Sequence, residues 1–426
     1  MQQINFKVII SLLLCLGIII NSKAQVKTKI FNEGIPAQSI SINKLLIPEK
    51  VIAAPIEFTQ LLNQTQSKTK NQIEYSNRFA VPVEVDLDVL ANAKVTEENG
   101  ITTFALTINA KKALNISLQF NKFLLSEHSV LSIYTQNELT DSITANENNK
   151  SKIWATRVYQ GSKLTLVLNL PTKEKEQATL NINQVNFGFK KFGSEYSGTP
   201  GSSAACNINV LCPEGNGWQN ERNSVALIVA NGIESCTGAL IMNTCGSNVP
   251  YFLTANHCLG AGNVPNWVFQ FQYWSTTCNP NAGWRVDIQF NGCTLRASSA
   301  PSDFALLQLN QTPQPTSGIF YSGWSRSANA PNGSVSLHHP QGDLMKFSRD
   351  FNASGVSSWG GVNNHWFDLF EQGIVQPGSS GSPLFDLNHR IVGQLHGYQA
   401  NVCAYGDNVC FCNEPHVGEY GRFDLS

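Results

Sequence analysis

The stretch QPGSSGSPLF, from Gln376 to Phe385, places three serines around two glycines and ends in a proline and two apolar residues. Glycine and serine at this density are common in turns between strands, so a plain turn is one interpretation. The other is a catalytic serine, which needs a base and a carboxylate from elsewhere in the chain. The rest of the sequence decides between them.

Two other motifs carry residues that could activate a serine. PYFLTANHCLG places His257 after an apolar strand and directly before Cys258, where a disulfide could hold the imidazole. SDFALLQLN places Asp303 at the start of another apolar strand. Taken singly, they are a structural histidine and a turn aspartate. Together with the serines, in the order His, Asp, Ser within one cysteine-rich region, they predict nucleophilic catalysis.

The N-terminal segment predicts export. Lys7 precedes an apolar run from Val8 to Ile20, and Ser22-Lys23-Ala24 follows with small residues at both cleavage positions. We therefore predict a signal peptide over residues 1–24 and a secreted or periplasmic protein. No later segment reaches the roughly 18 apolar residues of a membrane span, so we expect no membrane contact after cleavage.

The remaining chain of this 426-residue protein divides by composition. Residues 25–197 contain no cysteine and alternate apolar and polar residues in runs such as TTFALTINA and KLTLVLNL, a pattern typical of a β-sandwich. Small polar residues, GSEYSGTPGSSAAC, predict a linker. Residues 198–426 are rich in cysteine, tryptophan and glycine, and short strand candidates recur, from VALIVA to RIVGQLHG. We predict an all-β protein with a division near residue 197.

Charge and cysteine content exclude several functions. The net charge is −1 and only 14% of residues are charged, so no basic surface is available for nucleic acid.

Ten of the 11 cysteines follow residue 205, and in an exported protein they predict disulfides. A zinc site is the alternative for one cluster, but we favour disulfides and expect no metal or organic cofactor. That cluster is Cys403, Cys410, Cys412 and His416.

CTGALIMNTCGSNVPYFLTANHC, SDFALLQLN and PGSSGSPLF resemble the trypsin- and chymotrypsin-like serine endopeptidases, in particular the bacterial lysyl endopeptidases. GWSRS, SSWGG and EYGRF extend the resemblance over nearly all of Cys206 to Phe423. It implies a chymotrypsin-like double β-barrel that cleaves protein or peptide substrates. It also implies that residues 25–197 are a β-sandwich propeptide, which acts as an intramolecular inhibitor until it is removed.

The resemblance implies roles for single residues. His257 would be the general base, Asp303 its orienting partner and Ser380 the nucleophile, while the backbone N–H groups of Gly378 and Ser380 would form the oxyanion hole. Ser379 stands where many trypsin relatives have the aspartate that binds a new N-terminus, so we expect no activation by that salt bridge. The implied disulfides are Cys206–Cys403, Cys212–Cys278 and Cys236–Cys258, to which we add Cys245–Cys293 as a hypothesis.

The specificity pocket departs from the lysyl endopeptidases. They carry an aspartate two positions before the tyrosine of YGR, where this chain has Gly418, and the base of the trypsin pocket falls near apolar Ile374. An unpaired buried ammonium is costly, so we favour an apolar or aromatic substrate side chain. Lysine stays open, because Asp407, Glu414 or Glu419 could fold into the pocket. The other substrate-binding residues that the resemblance implies are Trp359, His396 and Gly397.

A catalytically dead binding or adhesion protein on the same scaffold is the alternative function. It is favoured by the C-terminus YGRFDLS, which ends where relatives continue into a C-terminal helix, and we expect this helix to be missing. It is opposed by the intact His257, Asp303 and Ser380. We therefore favour an active endopeptidase.

Overall fold

The computed structural model describes residues 46–66, 77–192, 203–262, 264–279, 284–285, 288–360, 362–397, 410 and 416–426. The predicted signal peptide and most of the predicted linker lie outside these residues, as do Cys403, Asp407, Cys412 and Glu414. Within the described part of the chain, no helix is long and apolar enough to cross a membrane.

The N-terminal region is a sandwich of two sheets. One has the strand order β1-β4-β10-β6-β7 with β3 on β4, and the other has the order β2-β11-β5-β8 with β9 on β5. Phe120 and Phe187 of the second sheet share one buried core with Leu166 of the first. The strands are β1 (Glu49–Ile52), β2 (Ala80–Asp88), β3 (Lys94–Glu98), β4 (Ile101–Ala110), β5 (Asn115–Leu124), β6 (Val130–Thr135), β7 (Glu138–Thr144), β8 (Trp154–Ala155), β9 (Tyr159–Gln160), β10 (Lys163–Pro171) and β11 (Thr179–Gly188), with helices α1 (Ile56–Gln66) and α2 (Val89–Asn92).

The C-terminal region contains two large antiparallel sheets. The first has the order β19-β16-β13-β14-β15-β21-β20, and the second has the order β12-β23-β22-β26-β27-β28-β25-β24. The elements are β12 (Ile208–Asn209), α3 (Gln219–Arg222), β13 (Val225–Ala230), β14 (Glu234–Ile241), β15 (Tyr251–Ala255), β16 (Val268–Phe271), β17 (Trp274–Ser275), β18 (Trp284–Arg285), β19 (Ile288–Asn291), β20 (Cys293–Ser299), β21 (Phe304–Leu309), β22 (Asn332–His338), β23 (Lys346–Ala353), β24 (Gly355–Ser357), β25 (His365–Phe370), β26 (Pro383–Asp386), β27 (Ile391–Gly397) and β28 (His416–Arg422). Strands β17 and β18 pair separately.

Each of these two sheets has its own apolar core. Ile228, Phe252 and Leu307 bury their side chains within the first sheet, and Trp366 and Tyr420 lie in a core of the second. A further core joins the sheets, since it holds residues from β15 and from strands β22 and β26. The predicted all-β, chymotrypsin-like fold is confirmed, and it places the ends of β15, β21 and β26 near the junction of the two sheets.

The N-terminal sandwich contacts the first of these sheets through backbone hydrogen bonds. The N–H of Phe79 donates to the carbonyl of Ile233 at 2.8 Å, and the N–H of Ser235 donates to the carbonyl of Asn77 at 3.1 Å. Phe79 also packs on Phe192, with ring centroids 4.0 Å apart. The segment entering β2 therefore extends the edge at the start of β14.

The disulfides agree with the sequence predictions at two bridges and differ at two. Cys212 is bonded to Cys278 and Cys236 to Cys258. The prediction of Cys206–Cys403 was wrong, because the described bridge joins Cys206 to Cys410. Sequence spacing could not choose between two cysteines seven positions apart in the chain.

The hypothesis of a Cys245–Cys293 bridge was also wrong, since both cysteines are free. Cys245 is exposed, whereas Cys293 is buried in the core of the first sheet at the start of β20. The described structure therefore contains no Cys245–Cys293 bridge, because it places one thiol at the surface and the other in the core of the sheet.

Candidate active site

The pairing of β15 with β21 brings His257 to Asp303. Ala255 lies opposite Phe304 in this antiparallel pair, so the residues that follow β15 and precede β21 meet at one edge. One carboxylate oxygen of Asp303 accepts the backbone N–H of His257 at 2.8 Å, and the other lies 2.7 Å from its ring Nδ1. Nδ1 therefore carries a proton, which leaves Nε2 as the basic atom.

Asp303 has an unusual backbone conformation, which turns its carboxylate towards His257. Its φ is +51°, a region that aspartate tolerates better than most residues, and its side chain is almost fully buried. The Cys236–Cys258 disulfide anchors the other partner, because Cys258 follows His257 directly. The orientation of the imidazole is thus fixed from both sides.

The turn containing Ser380 has the backbone of an anion-binding loop. Gly378 has φ +96°, and a Cβ there would lie 2.9 Å from both the Gln341 nitrogen and the His339 carbonyl oxygen, so only glycine fits. Among the described residues, no protein acceptor is bonded to the N–H of Gly378 or Ser380. Both donors remain available for a developing negative charge.

Strand β14 holds this turn in place. The N–H of Thr237 donates to the carbonyl of Ser380 at 2.8 Å, and its hydroxyl donates to the carbonyl of Gly378 at 2.9 Å. Cys258, the neighbour of His257, has its sulfur 4.0 Å from the Ser380 carbonyl. The backbone of Ser380 therefore lies near the residue that follows His257, although no hydrogen bond joins the described side chains of Ser380 and His257.

His338 supports the same turn, a contact that the sequence did not reveal. Its Nδ1 lies 2.8 Å from the hydroxyl of Ser379, and its Nε2 lies 3.0 Å from the hydroxyl of Ser348. Burial lowers the pKa of His338 to about 3, with further lowering by His339 and Lys346, so the ring is neutral. A neutral histidine thus fixes the residue before Ser380.

Trp359 and His396 form a stacked pair at the edge of this site. Their ring centroids are 4.0 Å apart at an interplanar angle of 23°, and Gly397 approaches the same indole. The His396 ring also lies 5.6 Å from that of His257, with its Nε2 3.9 Å from a carboxylate oxygen of Asp303. His365 contacts the other ring nitrogen of His396, since its Nε2 lies 2.9 Å from His396 Nδ1. The sequence did not predict this contact.

The residues predicted for the specificity pocket are apolar in the structure. Ile374 is buried, and a Cβ at Gly418 would lie 2.8 Å from Tyr420 Cε2 and 2.9 Å from Phe370 Cε2. Two aromatic rings therefore occupy the space that an aspartate at position 418 would need. Glu419 is buried on β28 directly after Gly418. Successive residues of a strand face opposite sides of the sheet, so Glu419 lies on the face opposite to Gly418.

One carboxylic acid near this position was not anticipated. Asp368 on β25 pairs directly with Gly418, so both residues point to the same face of the sheet. Its Oδ1 accepts the hydroxyls of Ser334 and Ser354 at 2.6 and 2.7 Å, while its buried Oδ2 has no partner among the described residues. Burial raises the pKa of Asp368 to about 7.

Residues 200–409 match the family model described as lysyl endopeptidase, C-terminal domain. The chain resembles the bacterial lysyl endopeptidases. It is 29% identical over 261 residues to the lysyl endopeptidase of Pseudomonas aeruginosa, a match that covers 56% of each chain. The chain thus spans little more than half the length of that relative, and the resemblance predicted from the motifs is confirmed.

Solved structures give weaker likenesses. The Rv3671c protease of M. tuberculosis, in its active form, is 18% identical with a TM-score of 0.32, covering 53% of this chain and 88% of its own. The HtrA-type protease AlgW with a tripeptide is 14% identical with a TM-score of 0.35, covering 50% and 60%. A thermostable serine protease, AL20, from an extremophilic microorganism is 15% identical with a TM-score of 0.34, covering 48% and 93%.

Proposed function

We propose that this chain is an exported serine endopeptidase that hydrolyses peptide bonds through an acyl-enzyme on Ser380. One observation carries the proposal: His257 is fixed by two hydrogen bonds to buried Asp303, beside a turn whose Gly378 and Ser380 N–H groups have no protein acceptor. This is the set of groups that acyl transfer requires, namely a base, its orienting acid and oxyanion donors.

Each of these groups has a defined role in the reaction. The Ser380 Oγ attacks the substrate carbonyl while its proton passes to His257 Nε2, and the two turn N–H groups stabilise the resulting oxyanion. His257 then protonates the leaving amine, and the C–N bond breaks to give an ester on Ser380. Water, deprotonated by His257, then attacks the ester carbonyl, and the C–O bond to Ser380 breaks as His257 returns the proton to the serine oxygen. Asp303 stabilises the imidazolium in both steps. Substrate binding brings the Ser380 hydroxyl to Nε2, since catalytic hydrogen bonds tighten in the complex.

The N-terminal sandwich acts in this proposal as a propeptide that blocks the enzyme. Asn77 and Phe79 already form backbone hydrogen bonds with the Ile233–Ser235 edge, one residue from the Cys236–Cys258 disulfide that adjoins His257. In this proposal, the sandwich therefore occupies the strand edge to which an extended substrate would bind. The neutral His338–Ser379 contact holds the oxyanion turn in the unprocessed chain, so activation needs only removal of the block.

The specificity pocket favours an apolar or aromatic residue on the amino side of the cleaved bond. Ile374 and the rings of Phe370 and Tyr420 fill the positions where a carboxylate would bind a lysine side chain. A lysine ammonium there would lose its water without gaining a partner. One observation favours the second candidate, a basic residue: Asp368 lies beside Gly418, and its Oδ2 has no hydrogen-bond partner among the described residues.

Labelling with a fluorophosphonate tests the proposal. We expect the probe to react covalently with the processed wild-type enzyme and with Ser382→Ala, whose serine lies in the same turn, but not with Ser380→Ala. Peptidase activity should follow labelling and should fall by several orders of magnitude in Ser380→Ala. A wild-type protein that is folded, processed and unreactive would support the dead-homologue alternative and contradict this proposal.

A further inference from the structure

Three polar side chains, Asn364, His365 and His396, form a chain of contacts that leads to Asp303 of the proposed catalytic pair. His365 Nδ1 lies 2.8 Å from the Asn364 amide oxygen, and His365 Nε2 lies 2.9 Å from His396 Nδ1. At the far end, His396 Nε2 lies 3.9 Å from Asp303 Oδ2. Each histidine carries one proton when neutral, so the position of each proton depends on its neighbour.

The backbone fixes the first member of this chain. The amide oxygen of Asn364 accepts the N–H of Trp359 at 3.0 Å, and its NH₂ group donates to the carbonyls of Pro301 and Trp359. Rotating the amide by 180° would place an oxygen against two carbonyls and an NH₂ against an N–H. The amide oxygen of Asn364 must therefore face His365 Nδ1, which has to carry a proton to make that contact.

His365 transmits this constraint to His396. It is fully buried and neutral, since burial lowers its pKa to about 4, aided by His396 and opposed by Asp303. With the proton on Nδ1, its Nε2 is an acceptor, so His396 Nδ1 must be the donor. The other nitrogen of a neutral His396, Nε2, then carries a lone pair, and this lone pair points towards Asp303.

We infer that His365 is a positioning residue that fixes His396 as the Nδ1–H tautomer, so that Asp303 accepts a ring N–H from His257 alone. The inference rests on the proposed role of His257 as general base. If His396 carried its proton on Nε2 instead, it would present a second donor to Asp303 and weaken the interaction that stabilises the His257 imidazolium.

Few of the described groups influence the pKa or the tautomer of His396. Burial lowers the pKa of His396, Asp303 raises it and His257 lowers it, and His365 contacts it from β25. Glu419 lies on the neighbouring strand, opposite Gly397. Trp359 covers one face of the ring without contributing charge. Within the part of the chain that the structure describes, the contact with His365 therefore governs the tautomer of His396.

Nitrogen-15 NMR of histidine-labelled full-length Ser380→Ala protein tests the tautomer without any need for activity. We expect the His396 Nδ1 resonance of a protonated nitrogen and the Nε2 resonance of an unprotonated one near neutral pH. Replacement of His365 by leucine removes the acceptor and should allow the Nε2–H form to appear. A protonated Nε2 on His396 in the Ser380→Ala protein would overturn the inference, whether or not His365→Leu folds.

Kinetics with two variants then separate positioning from packing. His365→Gln keeps an acceptor oxygen near His396 Nδ1, so its plateau of kcat/KM and its acid-limb midpoint should stay close to those of the wild type. His365→Leu should lower the plateau roughly tenfold, the equivalent of one hydrogen bond, and move the midpoint to lower pH by about half a unit. An unchanged pH profile in a folded His365→Leu enzyme would contradict the inference. Loss of labelling in the wild type would instead count against the proposed function.

Discussion

Asp303 binds His257 through both carboxylate oxygens while its own backbone stands at φ +51°. Two contacts with one residue fix both the position of the His257 backbone and the rotation of its ring. The positive φ is the conformation that lets a residue at the start of β21 turn its side chain back towards the end of β15. The His257–Asp303 pair is therefore built by strand pairing together with one strained residue.

Replacing Asp303 by asparagine should abolish most activity and leave the fold intact. Asparagine tolerates positive φ and can still accept the His257 backbone N–H, but its NH₂ group would face Nδ1 and force the proton onto Nε2. We expect kcat to fall by about 10⁴, as is typical when the orienting acid of such a triad is neutralised. Steady-state kinetics and thermal unfolding measure the two effects. A folded Asp303→Asn enzyme with more than a tenth of wild-type kcat would contradict the assignment.

Gly378→Ala should damage the oxyanion hole. Its Cβ would press on two backbone atoms at 2.9 Å, and its φ of +96° is unfavourable for alanine. We expect kcat to fall by about 10² to 10³, the effect of losing one oxyanion donor. Gly217→Ala is the matched control, since Gly217 has φ +93° but open space around its Cβ position. Equal losses of kcat in both variants would show that backbone strain alone is responsible.

Asp368 should make the protein less stable as the pH rises. Its folded pKa of about 7 exceeds the ordinary value of 3.8, so between these two pH values the unfolded chain releases a proton that the folded chain keeps. The free energy of unfolding should therefore decrease from about pH 4 to pH 7, by up to about 4 kcal/mol. Denaturant titrations of full-length protein should show this decrease in the wild type, and Asp368→Asn should remove it. The same slope in both proteins would rule out a raised pKa for Asp368.

Cleavage of a peptide library by the processed enzyme should show an apolar or aromatic residue before the cut bond, and Asp368→Asn should leave this preference unchanged. The reason is that Phe370, Tyr420 and Ile374 provide no charge in the predicted pocket. Strict cleavage after lysine that disappears in Asp368→Asn would show that this acid replaces the aspartate absent at Gly418. Lysine cleavage that survives the substitution would point to Asp407, Glu414 or Glu419.

Alkylation should distinguish Cys245 from Cys293, the two cysteines that are free among the described residues. Cys245 is exposed and should react in the folded protein, whereas Cys293 is buried, and burial also raises the pKa of its thiol. We expect mass spectrometry of native protein treated with iodoacetamide to find the label on Cys245 alone of these two cysteines. Cys293 should be labelled only when the protein is denatured before treatment. If both thiols resist alkylation until the protein is reduced, the result would support the hypothesis of a Cys245–Cys293 bridge.

The sequence by itself determined the all-β fold and the segments that carry His257, Asp303 and Ser380. This was possible because alternating apolar residues specify strands locally, and because the motif around each candidate includes the residues that hold it. Cys258 directly follows His257, and Gly378 lies two residues before Ser380. Information of this kind lies within a few positions of chain and can be read without knowing which strands pair.

Only the tertiary structure decided the contacts between segments that are distant in sequence. Cys206 joins Cys410 because of where the two loops meet, His365 reaches His396 across the second sheet, and Asp368 lies beside Gly418 through the register of β25 with β28. A shift of that register by one residue would turn Asp368 to the opposite face of the sheet. Register is set by the packing of whole strands, so no local pattern in the sequence could have predicted these neighbours.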